Sequence, residues 1–242
     1  MNAEILKPLL DEGWFEQLKP FFESVEFDKI IDHLKDVKKQ GKSVVPIDTE
    51  FLNAFKYCKY NDLKVVILAQ DPYYTLHNGQ PLANGLAFGS GVDNFIPASL
   101  RTIIDEVEDD VYRGLNLYTF LPGKPYEDLT LKQWAKQGVL LLNTALTVEV
   151  NNPGSHIELW RPFTNYVLSL LAARNTGLIY CLWGEKARKF DNFINHYTNN
   201  VLIAGHPSPL NTSDKKFIGC GHFSRINEIL EKSNGKTSII KW

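Results

Sequence analysis

Four short apolar runs punctuate the chain: Val65-Val66-Ile67-Leu68, Val139-Leu140-Leu141-Leu142, Leu178-Ile179-Tyr180-Cys181-Leu182 and Val201-Leu202-Ile203-Ala204. Each is continuous rather than alternating, the pattern of a strand covered on both faces in a parallel sheet. Between them the apolar positions take the helical period. Leu100, Ile103, Ile104, Val107 and Val111 share one helical face, as do Phe163, Val167, Leu170 and Leu171, with Gly177 placed as a C-terminal cap. Phe223, Ile226, Ile229 and Leu230 form a third stripe ended by Gly235, and Phe27, Ile30, Ile31, Leu34 and Val37 form one near the N-terminus. Strands alternating with helices predict an α/β fold with a central four-stranded parallel twisted sheet flanked by helices on both faces. No repeat, low-complexity tract or linker interrupts the pattern. A single domain over 1–242 is expected, with residues 1–44 a helical region packed on it.

The segments that follow the runs carry the candidate chemistry. The first runs into Ala69-Gln70-Asp71-Pro72-Tyr73-Tyr74 and the second into Asn143-Thr144-Ala145. The third meets Trp183-Gly184-Glu185-Lys186 and the fourth Gly205-His206-Pro207-Ser208-Pro209-Leu210. Ligands of open α/β sheets bind beyond the carboxyl ends of the strands. An Asp, an Asn and a His from distant parts of the chain are therefore delivered to one sheet edge.

Composition narrows the setting. The 242 residues are 44% hydrophobic and 22% charged, as in ordinary globular proteins. No stretch approaches the roughly 18 apolar residues of a membrane helix, and no basic segment leads into an apolar run at the start, so neither membrane span nor signal peptide is expected. Three scattered cysteines (Cys58, Cys181, Cys220) suit a reducing interior, cytoplasmic or, in a eukaryote, nuclear. They are one short of an iron–sulfur ligand set. Cys220 and His222 are too isolated to suggest a metal, no zinc-deaminase pairing of His-x-Glu with Cys-x-x-Cys occurs, and Gly79 to Gly91 lacks phosphate-loop spacing. No metal or cofactor is expected. The net charge of −2 argues mildly against a nucleic-acid partner, although Lys186, Arg188, Lys189, Lys215 and Lys216 offer local positive charge.

An ordered set of motifs changes that balance. Val45-Pro46, Lys64 through Tyr73, Trp134 through Thr144, Ser155-His156, Trp160, Phe163-Thr164, Leu182-Trp183-Gly184, His206 through Leu210 and Gly219 through Ser224 occur in one series. The series resembles the family 1 uracil-DNA glycosylases over nearly the whole chain. Such an enzyme flips uracil out of single- or double-stranded DNA, reads its Watson–Crick edge in a closed pocket and hydrolyses the N-glycosidic bond, initiating base excision repair. The resemblance implies Asp71 as the carboxylate that orients water and stabilises the cationic sugar, and His206 as a neutral donor to uracil O2. It implies Asn143 as the edge reader, Tyr73 as the barrier to a thymine methyl, Phe88 as the stacking ring, and Gln70 amides at the base oxygens. Leu210 would be the wedge entering the base stack. Pro97, Ser99, Gly184 and Ser208 would hold phosphates. It further implies a monomer that a proteinaceous DNA mimic can inhibit.

Taken singly these residues have ordinary explanations: Asp71-Pro72 as a turn, Asn143 as a strand terminus, Tyr73 and Phe88 as packing, Leu210 as an exposed loop residue. The rival reading is a catalytically weak relative serving as a DNA-binding or processivity module, which would have no need of Asp71, Asn143 and His206 together.

Four departures from the family pattern stand out. Tyr74 replaces a usual His, for which His77 is a candidate substitute, and the Thr75–Phe88 segment is longer than usual. Ala69 replaces a Gly. Glu185 replaces a Ser near the phosphates, where a carboxylate repels DNA unless it turns away or pairs with Lys186 or Arg188.

Overall fold

A computed structural model describes residues 2–112, 128–174, 177–211 and 215–242. In chain order its elements are α1 (Glu12–Phe22), α2 (Val25–Lys39), β1 (Val44–Val45), α3 (Asn53–Tyr57), β2 (Val65–Ala69), β3 (Leu76–His77) and β4 (Gln80–Pro81). There follow α4 (Ala98–Asp110), α5 (Lys132–Lys136), β5 (Val139–Asn143), β6 (Val148–Glu149) and α6 (Ile157–Arg174). Then come β7 (Ile179–Trp183), α7 (Glu185–Arg188), β8 (Asn200–Ala204) and α8 (His222–Asn234).

Among the described residues, β5, β2, β7 and β8 form a parallel sheet in that order. All five residues of β2, β5 and β7 are buried. Successive side chains point to opposite faces, so helices must cover both. The β8 edge strand differs from expectation: Val201, Leu202 and Ile203 are only half-buried, whereas β5 at the opposite edge is buried throughout.

The N-terminal helices begin where polar side chains satisfy free amides. Asp11 accepts from Gly13 and Trp14, and Ser24 from Phe27, a stabilisation of about 1 kcal/mol per cap. Both helices pack on α6. There Phe21 and Phe163 meet with ring centroids 5.3 Å apart, and Phe22 and Phe27 at 5.0 Å. These rings belong to the same hydrophobic cluster as the sheet.

Register decides where the chemistry lands. Ala69 pairs with Asn143 across β2 and β5, and Trp183 with Ala204 across β7 and β8. The two neighbours of β2 lie on opposite sides, and the chain reaches β7 only after passing back across β2. A reversal of this kind opens a crevice at the carboxyl ends.

Candidate active site

Beyond β2 the chain turns at Gln70, whose backbone is riveted to the neighbouring strand end. Its carbonyl accepts from Ala145 N–H and from the Thr144 hydroxyl, each at 2.8 Å. Asp71, the next residue, is held by its carboxylate: Oδ2 accepts from the Gly154 amide at 2.6 Å and Oδ1 from Gln70 Nε2 at 3.1 Å. Burial pushes its pKa above the usual carboxylate range, and the Gly154 and Gln70 hydrogen bonds and the Lys186 charge offset only part of that. The result is a partly desolvated carboxylate, fixed in direction and costly to ionise.

His206 arrives from β8. Its Nδ1 accepts the Ser208 amide at 3.0 Å, so the neutral ring carries its proton on Nε2 and is a donor there. Burial lowers its pKa and favours this neutral form. The ring's seat depends on Gly184, at φ +88°, where an added Cβ would lie 2.8 Å from His206 Cβ. Asp71, His206, Gln70, Tyr73, Phe88, Pro97, Ser99 and Ser208 line one cleft of about 390 Å³.

Phe88 walls this cleft at φ +65°, a left-handed conformation uncommon for a bulky side chain. Buried Asn84 holds it there: Oδ1 accepts from Leu86 N–H at 3.0 Å, while Nδ2 donates to Ser90 and Thr130 carbonyls. Asn53 in turn donates to the Asn84 carbonyl at 2.7 Å. The Phe88 ring lies 5.9 Å from His206 and 5.7 Å from Trp183 between centroids. The Tyr73 hydroxyl donates to the Phe88 carbonyl at 3.2 Å. Nearby, α4 starts after Pro97 with no side-chain cap.

Asn143 is not among the residues lining the cleft opening. It ends β5 beside Ala69, which does line it. The residue is 4% exposed and its side chain bonds no described residue. An amide that bonds no described residue suits an incoming group that offers a donor and an acceptor.

The outer residues form a second groove. Asp71, Tyr74, Pro153, Trp183, Glu185, Lys186, His206, Ser208 and Leu210 line a volume of about 610 Å³ that shares Asp71 and His206 with the first. Leu210 is 87% exposed, while Ser208 Oγ fixes the turn beneath it by accepting the Leu210 amide at 3.2 Å. The N-terminal turn of α4, with Ala98 and Ser99, borders the first cleft and presents free amides and a positive dipole end to an anion. Glu185 pairs with Arg188 at 2.8 Å, which draws its carboxylate away from any phosphate. The substitution of His77 for the missing imidazole does not hold: its ring is stacked on Phe95, and Tyr74 occupies the groove itself.

Two parts of the site went unread in the sequence. Gly154, which anchors Asp71, sits in an Asn-Asn-Pro-Gly turn whose turn signal was visible but whose destination was not. The other is the anchoring of the Gly219–Ser224 segment to α4 and β7. The Glu106 carboxylate accepts from Gly219 and Gly221, Asp110 accepts from Ser224, and Trp183 donates to His222 Nδ1 at 3.0 Å. This explains the Gly219–Ser224 motif as scaffold.

Fold and site together define an α/β protein with a fixed carboxylate and a neutral imidazole donor facing one cleft of about 390 Å³. Comparison with known proteins narrows the class. Residues 55–231 match the Uracil DNA glycosylase superfamily, and the chain belongs to that family. The uracil-DNA glycosylase of Campylobacter lari is 39% identical over 240 residues, 99% of this chain and 97% of its own length. That of Haemophilus influenzae is 39% identical over 229 residues, 94% and 98% of the two chains. The crystal structure of mimivirus uracil-DNA glycosylase superposes with a TM-score of 0.86 at 25% identity, covering 100% of this chain and 89% of that one. A variant of the mimivirus protein in complex with UGI gives 0.83 at 25% identity, over 98% and 89%. These matches bear out the resemblance read from the ordered motifs.

Proposed function

We propose that this protein removes uracil from DNA by hydrolysing the N-glycosidic bond, leaving an abasic site, with Asp71 and His206 as its catalytic residues. The observation that carries the assignment is their convergence from β2 and β8 on the cleft walled by Phe88. Uracil, flipped from the stack, lies against Phe88 with its edge toward Asn143 and C5 toward Tyr73. As the C1′–N1 bond breaks, electrons pass to the base and positive charge develops on the sugar. The His206 Nε2 proton hydrogen-bonds the anionic O2, and the Gln70 amides assist. Asp71 stabilises the sugar cation, directs a water oxygen to C1′ and accepts the water proton.

The DNA grip follows from the second groove. Leu210 enters the stack in place of the base, while the α4 N-terminus at Pro97 and Ser99, with Ser208 and the Gly184 backbone, binds phosphates. The uracil-DNA glycosylase names of the relatives support DNA as substrate, and the UGI complex of the mimivirus variant supports susceptibility to a protein inhibitor. The same reading has a cytoplasmic monomer of one domain that accepts single- or double-stranded DNA.

The test is incubation with a uracil-containing oligonucleotide in EDTA, followed by alkali. Strand breakage at the uracil is expected; intact strands would end the proposal. Asn143→Asp should gain action on cytosine. Tyr73→Ala should admit thymine, and Tyr73→Phe, which lacks the hydroxyl bond but keeps the ring, should still reject it. Unchanged selectivity in both Asn143→Asp and Tyr73→Ala would place base recognition elsewhere.

A further inference from the structure

The cleft that contains Asp71 does not end at the uracil slot. It continues along Tyr74, Thr75 and Leu82 to the ring of Phe95, next to Pro97. Its volume of about 390 Å³ exceeds what one pyrimidine ring fills. The Phe95 ring is also held from behind. His77 stacks on it with centroids 4.1 Å apart and planes at 28°, so one face is occupied and the cleft-lining side remains for a ligand.

Two local devices fix this pair. His77 sits in the β3–β4 hairpin, opposite Gln80, closed by Asn78 and Gly79 at φ +49° and +79°. Successive left-handed residues are what a tight hairpin turn of this twist requires. Phe95 is set by Ser90, 1% exposed, whose hydroxyl lies 3.2 Å from both the Val92 and Phe95 carbonyls. The same oxygen accepts the Val92 amide at 3.3 Å. An aromatic ring braced this firmly has already lost the freedom that stacking would otherwise cost.

We propose that Phe95 is the stacking surface for the nucleobase adjacent to the excised one. The inference rests on the uracil-excision reading and adds a subsite to it. Every base has a π-face, so such a surface binds the neighbour without reading its sequence. Phe95 faces the bound strand rather than the scissile bond, so it acts on affinity and leaves the chemical step alone.

The test uses single-stranded oligonucleotides with one uracil whose 5′ or 3′ neighbour is either a normal nucleotide or an abasic spacer. Kd and the single-turnover rate are measured for wild type, Phe95→Ala and Phe95→Trp. Stacking of this kind corresponds to about 5- to 150-fold in Kd. Wild type should lose affinity by that factor when one particular neighbour becomes a spacer. Phe95→Ala should lose it on normal DNA and lose nothing further on that spacer DNA, while Phe95→Trp keeps wild-type affinity. The rate at saturation should be unchanged throughout. Equal weakening of Phe95→Ala on every substrate, no weakening at all, or a fall in rate with Kd intact would overturn the proposal. A wild type that binds this series but releases no uracil would sink the excision reading alone, and the Kd pattern would still decide the stacking surface.

Discussion

Replacing Gly184 by alanine should slow the reaction through His206, a residue the substitution does not touch in sequence. The new Cβ would lie 2.8 Å from His206 Cβ and 3.3 Å from its Cα. Carbon atoms rest about 3.5 Å apart or more, so the imidazole must retreat by about 0.7 Å. Misplacement on the order of 1 Å can cost about a hundredfold in rate, which sets the expected fall at roughly tenfold to a hundredfold. The backbone at φ +88°, ψ 168° lies in a region nearly reserved for glycine, and holding alanine there costs about 1–3 kcal/mol of stability. Gly41→Ala separates the two effects. Gly41 has φ +79° with nothing within 4 Å of an added Cβ, so it should lose stability and keep its rate. Single-turnover excision and urea unfolding on the two variants make the comparison. A Gly184→Ala protein within twofold of the wild-type rate, or a Gly41→Ala protein equally slowed, would refute the reasoning.

Burial lowers the His222 pKa to about 4 from 6.5. Stability from this group is complete above the unfolded value and is lost as pH falls toward the folded one, about 2–3 kcal/mol by pH 4.5. Urea unfolding at pH 7.5 and 4.5 should show that loss reduced in His222→Asn, and an equal loss would assign it to other groups. Asp71 has the opposite sign. Its raised pKa means that ionisation weakens the fold as pH rises through it. Asp71→Asn, whose amide oxygen still accepts from Gly154, should therefore melt higher than wild type at neutral pH, and a lower melting temperature would contradict the burial argument. Excision by the wild type should fade as pH drops through that same raised value, and a rate that persists below the ordinary carboxylate range would count against ionised Asp71. Asn84→Ala leaves the Leu86 amide and the Ser90 and Thr130 carbonyls short of a partner, each such loss costing about 1–3 kcal/mol. It should destabilise the fold and slow excision by freeing Phe88; wild-type stability would deny the clamp.

The sheet was legible because its signal is local. Val65 to Leu68, Val139 to Leu142 and Leu178 to Leu182 are apolar at every position, as burial on both faces demands, and all three proved buried. The run Val201–Ala204 looked alike but is only partly covered, while β5 at the other edge is fully buried; the covering of an edge strand is set by distant segments and not by the run itself. Asp71, Asn143 and His206 were readable because each directly follows or ends a strand. Gly154 was not, because its amide reaches Asp71 across 83 residues of sequence. Tyr73 looked like a gate alone; its hydroxyl bond to the Phe88 carbonyl spans 15 residues that no spacing announces. The β3–β4 hairpin has only two residues per strand, too few for periodicity, so in the sequence His77 reads as a candidate substitute for the missing imidazole and not as a packing ring.

The central claim is that Asp71 performs chemistry at a site otherwise built for binding. Wild type and Asp71→Asn can be compared for Kd on uracil-containing DNA and for single-turnover release of uracil. A carboxylate acting on the attacking water contributes about 10²–10⁴-fold to such a step. A fall in rate of at least that order is expected, with Kd unchanged or tighter. An Asp71→Asn protein that releases uracil at the wild-type rate would contradict it.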